Sequence, residues 1–292
     1  MLIFIIFIVL MVCFPLVRCF IGNIYSVLYN AFVDTYKYIR YKRWNECHNY
    51  GTIDVFASYS DKVFGCGKTL NAVKYVQGVY ERYNGKKVYN FKQKKWEIQT
   101  IKIVSNVDLK IPYTKLVSTD DIINCHKDLN ESSVCIVFID EASTEFNSRN
   151  FKTNISSTLL NSMLTCRHHK FGMILTAQRF NHIDALIRQI TCRVALCRKI
   201  WRFQMLYTCS AWDLENASNI DMVKHSKSCW FVCNKHYNAY DTSAIVDEIK
   251  RRQANGDLLS DSEVLALQGE QTVADIKKVY KPSRKMKKYS GI

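Results

Sequence analysis

The chain has 292 residues, of which 48% are hydrophobic and 23% charged, with only 10 glycines and 3 prolines. This excludes collagen-like and low-complexity classes and leaves length for one large α/β core with short extensions. A formal net charge of +15 points to a polyanion or an anionic membrane surface as partner, and 12 cysteines without a CxxC pair or a zinc-type His/Cys ladder read as reduced thiols rather than a disulfide framework.

The chain opens on "MLIFIIFIVLMVCFPLV", an uncharged apolar run. As a helix it reaches about 25 Å against a hydrocarbon core of about 30 Å, a marginal span. Residues 1–20 are therefore expected to form a transmembrane anchor and 21–48 a basic juxtamembrane helix with an apolar stripe of Phe20, Ile24, Val27, Leu28 and Phe32. The run lacks the basic start and small cleavage-site residues of a removable signal. Arg18, Lys37, Arg40, Lys42 and Arg43 assign the C-terminal side to the cytoplasm.

Residues 49–246 are expected to form the main domain. "TIDVFASY" alternates like a strand, and "TLNAVKYVQGVYERY" carries Leu70, Val73, Val76 and Val79 at helical spacing. Between them the G-x-x-x-x-G-K-[ST] frame reads Lys62 to Thr69, so only its second half matches. That half holds the chemistry. Gly65 and Gly67 let the backbone of Gly65, Cys66, Gly67, Lys68, Thr69 and Leu70 turn its N–H groups onto a polyphosphate, Lys68 bridges the outer phosphates, and the Thr69 hydroxyl ligates Mg²⁺. ATP and Mg²⁺ are the expected ligands.

Further along, "SSVCIVFIDEAS" is a strand buried on both faces that ends in Asp140, a candidate Mg²⁺ ligand through water, and Glu141, a candidate general base. A third strand, "FGMILTAQ", ends in Thr176 and Gln178, the latter suited to a γ-phosphate or its attacking water. Arg188, on the following helix, and Arg193 are candidates for a finger on a neighbouring subunit's nucleotide, or for DNA phosphate. "TCRHHKF" brings Cys166, His168 and His169 together as a minor metal candidate. "WRFQMLYTC" and "SCWFVC" read as extra strands, an antiparallel edge whose Trp201 and Trp230, like Trp212, belong more often to a core than to base stacking. Residues 247–292 turn basic from Lys277 to Lys288, an arm for DNA phosphates or an anionic leaflet.

The strings "GCGKT", "VSNVDL", "FIDEASTEFNSRNF", "LLNSMLTCRHHKFGMILTAQRFNHIDALIRQI" and "YNAYDTSAI" resemble the zonula occludens toxin family, the ATPases of filamentous bacteriophage assembly, over residues 52–246. Two departures stand out. The loop lacks its leading glycine and has Phe64 where the family often has proline, and the apolar segment precedes the ATPase region instead of following it. The resemblance implies an α/β P-loop NTPase of the FtsK/HerA type with a mostly parallel sheet, a membrane-associated motor of a class that typically forms hexameric rings; with the N-terminal anchor read above, it is expected on the cytoplasmic face of the host inner membrane. Implied partners are phage single-stranded DNA and phage coat or assembly proteins, and implied roles fall on Lys68, Thr69, Asp140, Glu141 and Gln178. Two readings compete with this motor for phage DNA extrusion: a conjugation-type DNA coupling ATPase, and a non-hydrolysing assembly scaffold that binds nucleotide or DNA.

Overall fold

A computed structural model of the chain describes residues 14–59, 64–127, 129–142, 157–217 and 222–241. Two helices come first, α1 (Pro15–Gly22) and α2 (Ile24–Arg40). Next are β1 (Ile53–Ser58), α3 (Lys68–Tyr83), a hairpin of β2 (Lys87–Asn90) with β3 (Lys95–Ile98), and β4 (Ile101–Ser105). Two short strands, β5 (Asp108–Leu109) and β6 (Thr114–Lys115), precede α4 (Thr119–Asn124) and β7 (Val134–Ile139). Then come α5 (Ser157–Leu164), β8 (Phe171–Thr176), α6 (Ala185–Ile190), β9 (Arg193–Ile200), β10 (Phe203–Ser210), α7 (Ala211–Asn216), β11 (Ser226–Phe231) and α8 (Asn234–Tyr237).

Eight strands share one sheet in the order β11-β10-β9-β1-β8-β7-β4-β6. From β9 to β6 every pairing is parallel, and β10 and β11 add antiparallel strands at one edge, as expected from their sequence. The parallel strands read as continuous apolar runs because both faces are covered: all six residues of β1, β7 and β8 are buried. Val55, Val137 and Met173 pack with Leu159, Met163 and Ile187 on one face, while α3 lies against β1 and β8 on the other. β1 sits between β8 and β9, where the strand order reverses, so the loop after its carboxyl end opens into a crevice.

The N-terminal segment differs from a single straight anchor. Residues 1–13 lie outside the described residues. Beyond them α1 and α2 bend by 80° at Gly22-Asn23, two residues of low helix propensity, where the Asn23 amide donates back to the Cys19 carbonyl at 2.9 Å. No single described helix is long and apolar enough to cross a membrane; α1 and α2 meet that test only as a bent pair. Neither helix buries a residue, and Leu28 and Phe32 are exposed. The described cysteines are all free thiols. The described residues up to Tyr240 form one compact unit, and the expected basic arm at 247–292 falls outside the described residues.

Candidate nucleotide-binding site

Gly65 and Gly67 adopt φ of 69° and 85°, the left-handed region that glycine enters without a Cβ penalty. Gly67 has a second constraint. A Cβ there would lie 2.3 Å from the Gln204 Oε1 on β10, whereas one at Gly65 would meet open space. α3 starts immediately afterwards with the buried Lys68 and the partly buried Thr69, so the N–H groups of its first turn, which have no intrahelical acceptor, face the loop. The departure at Lys62 lies outside the described residues.

Three strand ends converge on Asp140, which is 4% exposed. The Thr69 hydroxyl donates to its carboxylate at 2.8 Å, and the Thr176 hydroxyl, from the end of β8, donates at 2.5 Å. Thr176 also accepts the Glu141 backbone N–H at 2.9 Å. On the other side the Asn106 side chain, just past β4, accepts the Asp140 N–H at 2.8 Å and donates to its carbonyl at 3.0 Å. One residue is thus held by its neighbours on both sides of β7. Burial pushes the Asp140 carboxyl above its ordinary range, against the opposing pull of the Thr176 and Thr69 hydroxyls and the Lys68 ammonium. Burial, and then the Asp140 charge, also push Glu141 up. Glu141 itself has φ +51°, a strained setting for a side chain of its size and one that clusters at functional sites.

The structure thus brings together Gly65, Cys66, Gly67, Lys68, Thr69, Asp140 and Glu141. Gln178 stands beside them: its carbonyl accepts the Ser58 N–H at 3.3 Å at the end of β1, and its side chain is half-buried. The Leu70 side chain is buried in the core at 4% exposure, and its backbone N–H belongs to the first turn of α3. Arg188 is tied down elsewhere, donating to Glu215 at 3.2 Å and to the Asn181 and Ile183 carbonyls. Arg193 is paired with Asp54 through two N–H···O bonds on adjacent strands. Among the described residues no group of three or more His, Cys, Asp or Glu side chains is placed to hold a metal, so the Cys166/His168/His169 expectation is not met. Trp201 and Trp212 also depart from expectation: Trp201 is 71% exposed, on the turn between β9 and β10, and Trp212 is 74% exposed on α7.

Sequence reasoning passed over Asn106, Thr176 and Gln204 as site residues. Gln204 has no exposed surface. Its Oε1 accepts from the Asn71 amide at 3.1 Å; that amide also donates to the Gly67 carbonyl at 2.8 Å, and its oxygen accepts the Trp230 indole N–H at 2.7 Å. The indole fixes which way Asn71 points, Asn71 fixes Gln204, and the Gln204 Nε2 is left buried without an acceptor beside the loop. The Lys74 ammonium sits 3.5 Å from the Trp230 ring centroid.

A small hard cation suits this donor set. Mg²⁺ takes one or two protein oxygens and keeps water and phosphate as its remaining ligands, and Thr69 and Asp140 present a hydroxyl beside a buried carboxylate.

Residues 63–198 match the family described as ATPase family associated with various cellular activities (AAA). No curated protein matches the chain. Among solved structures, the N-terminal domain of zonular occludens toxin from Neisseria meningitidis is similar at 19% identity and a TM-score of 0.45, over 65% of this chain and 98% of that one. The genome packaging NTPase B204 from Sulfolobus turreted icosahedral virus 2, in complex with ATP-gammaS, is similar at 11% identity and 0.35, over 63% and 98%. The cytoplasmic domain of the Thermomonospora curvata type VII secretion ATPase EccC is similar at 10% identity and 0.37, over 63% and 24%.

Proposed function

We propose that this chain, whose residues 63–198 match the AAA family, is a Mg²⁺-dependent ATPase of the P-loop NTPase class that works as a membrane-anchored motor for phage DNA extrusion or packaging during virion assembly. The observation that carries the enzyme reading is the convergence of the Thr69 and Thr176 hydroxyls on the buried Asp140 beside the left-handed Gly67 turn. Thr69 and Asp140 would hold Mg²⁺, which when bound supplies charge neutralisation to the β- and γ-phosphates. Lys68 adds its ammonium to the same phosphates. Glu141, whose carboxyl is raised by burial, is the base that takes the proton of the attacking water, and Gln178 orients that water. Thr176 and Asn106 position Asp140 and Glu141 without touching substrate.

DNA is assigned as the load on two grounds. One is the resemblance over residues 52–246. The other is the antiparallel edge: from Val194 to Ser210 and from Met222 to Tyr240 the chain has Arg198, Lys199, Arg202, Lys224, Lys227 and Lys235 and not one Asp or Glu. Anchoring on the cytoplasmic side of the host inner membrane is supported by the apolar run and by the exposed apolar side chains of α1 and α2. A hexameric ring and contacts with coat proteins belong to the same reading. The position of the anchor ahead of the ATPase domain also favours a second reading, a conjugation-type coupling ATPase. The test is steady-state ATP hydrolysis with and without single- and double-stranded DNA, beside Glu141→Gln. DNA-stimulated turnover that the variant loses supports the motor. Turnover indifferent to DNA moves the load to coat protein, and no turnover at all leaves a scaffold.

A further inference from the structure

The β9–β10 turn is built against the rules of its backbone. Trp201 takes φ +54°, a position that favours Gly or Asn, so a bulky ring is kept where it costs strain. It is also exposed. Its ring lies 6.1 Å from Phe203 and 5.9 Å from Phe231, and those two lie 5.3 Å apart, all tilted or edge-on, which leaves ring faces open to solvent.

Register shows which side of the sheet these groups occupy. Phe203 stands opposite both Ile200 and Phe231, and Met205 stands opposite Arg198 and Cys229. Directly opposed residues share a face. The intervening Gln204 and Trp230 point the other way, to Asn71 on α3. Hence Ile200, Phe203 and Phe231 form a row across three strands on the face away from α3, with Trp201 above it and Arg198 about 7 Å below. Phe203 and Phe231 are 44% and 43% exposed, although each is flanked in sequence by a buried residue.

We propose that this face is a platform for single-stranded nucleic acid, with bases stacked on Trp201, Phe203 and Phe231 and the phosphates met by Arg198 and Arg202. Aromatic side chains on neighbouring strands with cations one pleat away are how single strands are gripped without regard to sequence, and a duplex hides the base faces that such rings need. An all-cationic edge is complementary to that ligand. The platform also shares its strands with the nucleotide loop: Phe203 and Phe231 are chain neighbours of Gln204 and Trp230, whose contacts reach Gly67 through Asn71. A strand bound here therefore lies on the elements that touch the loop, which favours a translocated load over a membrane surface. The proposal rests on the DNA-motor reading above and names its subsite.

The experiment uses the full chain in detergent micelles and a fluorescein-labelled oligothymidylate of about 20 nucleotides, read by anisotropy over a range of salt. Trp201→Ala, and Phe203→Ala with Phe231→Ala, should each bind at least about tenfold more weakly with an unchanged salt slope, because stacking and not phosphate contact is lost. Trp201→Phe should restore binding to within about threefold, since a ring still offers a face. Arg198→Ala should lower the slope of log K against log salt by about one. ATP hydrolysis without DNA, unchanged in every variant, establishes that each is folded. Unaltered oligonucleotide affinity in Trp201→Ala and in the double phenylalanine variant overturns the platform. So does loss of flotation with phosphatidylserine vesicles, or of self-association, with oligonucleotide affinity intact; those results assign the face to a membrane or to a second copy. If the wild type responds to single strands and the variants respond equally, only the platform falls. If the wild type hydrolyses ATP yet neither binds nor is stimulated by any DNA, the motor reading fails and the platform with it.

Discussion

Replacing Gly67 by alanine tests the way the nucleotide loop is held. At φ +85° an L-residue costs about 1–2 kcal/mol on conformational grounds alone. The new methyl would also lie 2.3 Å from the Gln204 Oε1. Gln204 cannot swing aside, because it is fully buried and its oxygen is held by Asn71, so the overlap adds about 1–3 kcal/mol of overpacking. The two contributions together give a loss of about 2–5 kcal/mol. In a Gln204→Ala background the overlap is gone and only the backbone contribution remains, so Gly67→Ala should cost about 1–2 kcal/mol there. Urea unfolding of the four proteins of this double-mutant cycle, with nucleotide absent, measures the difference directly. Equal costs in the two backgrounds, within about 0.5 kcal/mol, would refute the claim that Gln204 backs the loop.

Lys68→Ala and Glu141→Gln should both abolish turnover, with ATP binding retained only in the second; calorimetric titration separates them. Thr176→Val keeps the shape of the side chain but strips a hydrogen bond from the Asp140 carboxylate and an acceptor from the Glu141 N–H, and should cost about 2–4 kcal/mol of stability in denaturant titrations and raise the Mg²⁺ concentration needed for half-maximal turnover. The raised carboxyls of Asp140 and Glu141 set the sign of a pH effect. Folded, they bind more protons than unfolded, so their contribution is fully present below the ordinary carboxylate range near pH 4 and is lost as pH rises through their folded values. Without nucleotide, the melting temperature of the wild type should therefore fall more steeply with rising pH than that of Asp140→Asn carrying Glu141→Gln. Parallel curves would remove the burial argument.

Much of the site was legible because its chemistry is local in sequence. The second half of the phosphate-loop frame, and a run of apolar residues that ends in Asp140-Glu141, each define their element and their chemistry within about ten residues. What escaped comes from long range. Thr176 reads as a polar strand end, and only the β7–β8 pairing, Ile139 opposite Leu175, brings its hydroxyl to Asp140. Asn106 follows a five-residue strand too short to stand out by periodicity, although its "VSNVDL" setting belongs to the family resemblance and was a usable signal. Gln204 gave no signal, since a glutamine inside an aromatic strand looks like a solvent-facing position until α3 is laid over it. Trp201 was assigned to the core on residue type, and the turn, which periodicity does not locate to the residue, carries it into solvent. Both arginine candidates were plausible on charge and were claimed by carboxylates in space, Glu215 and Asp54.

The antiparallel edge has a consequence for symmetry. Because Arg198, Lys199, Arg202 and Lys227 have no acid within their own strands, identical copies of this edge repel one another. Any closed assembly that turns these edges toward a common axis gathers like charge at its centre, and its closure becomes favourable only when something anionic is already there. In the ring proposed above, the charge that keeps single copies apart would also be a check on order: the strand first, the ring around it second.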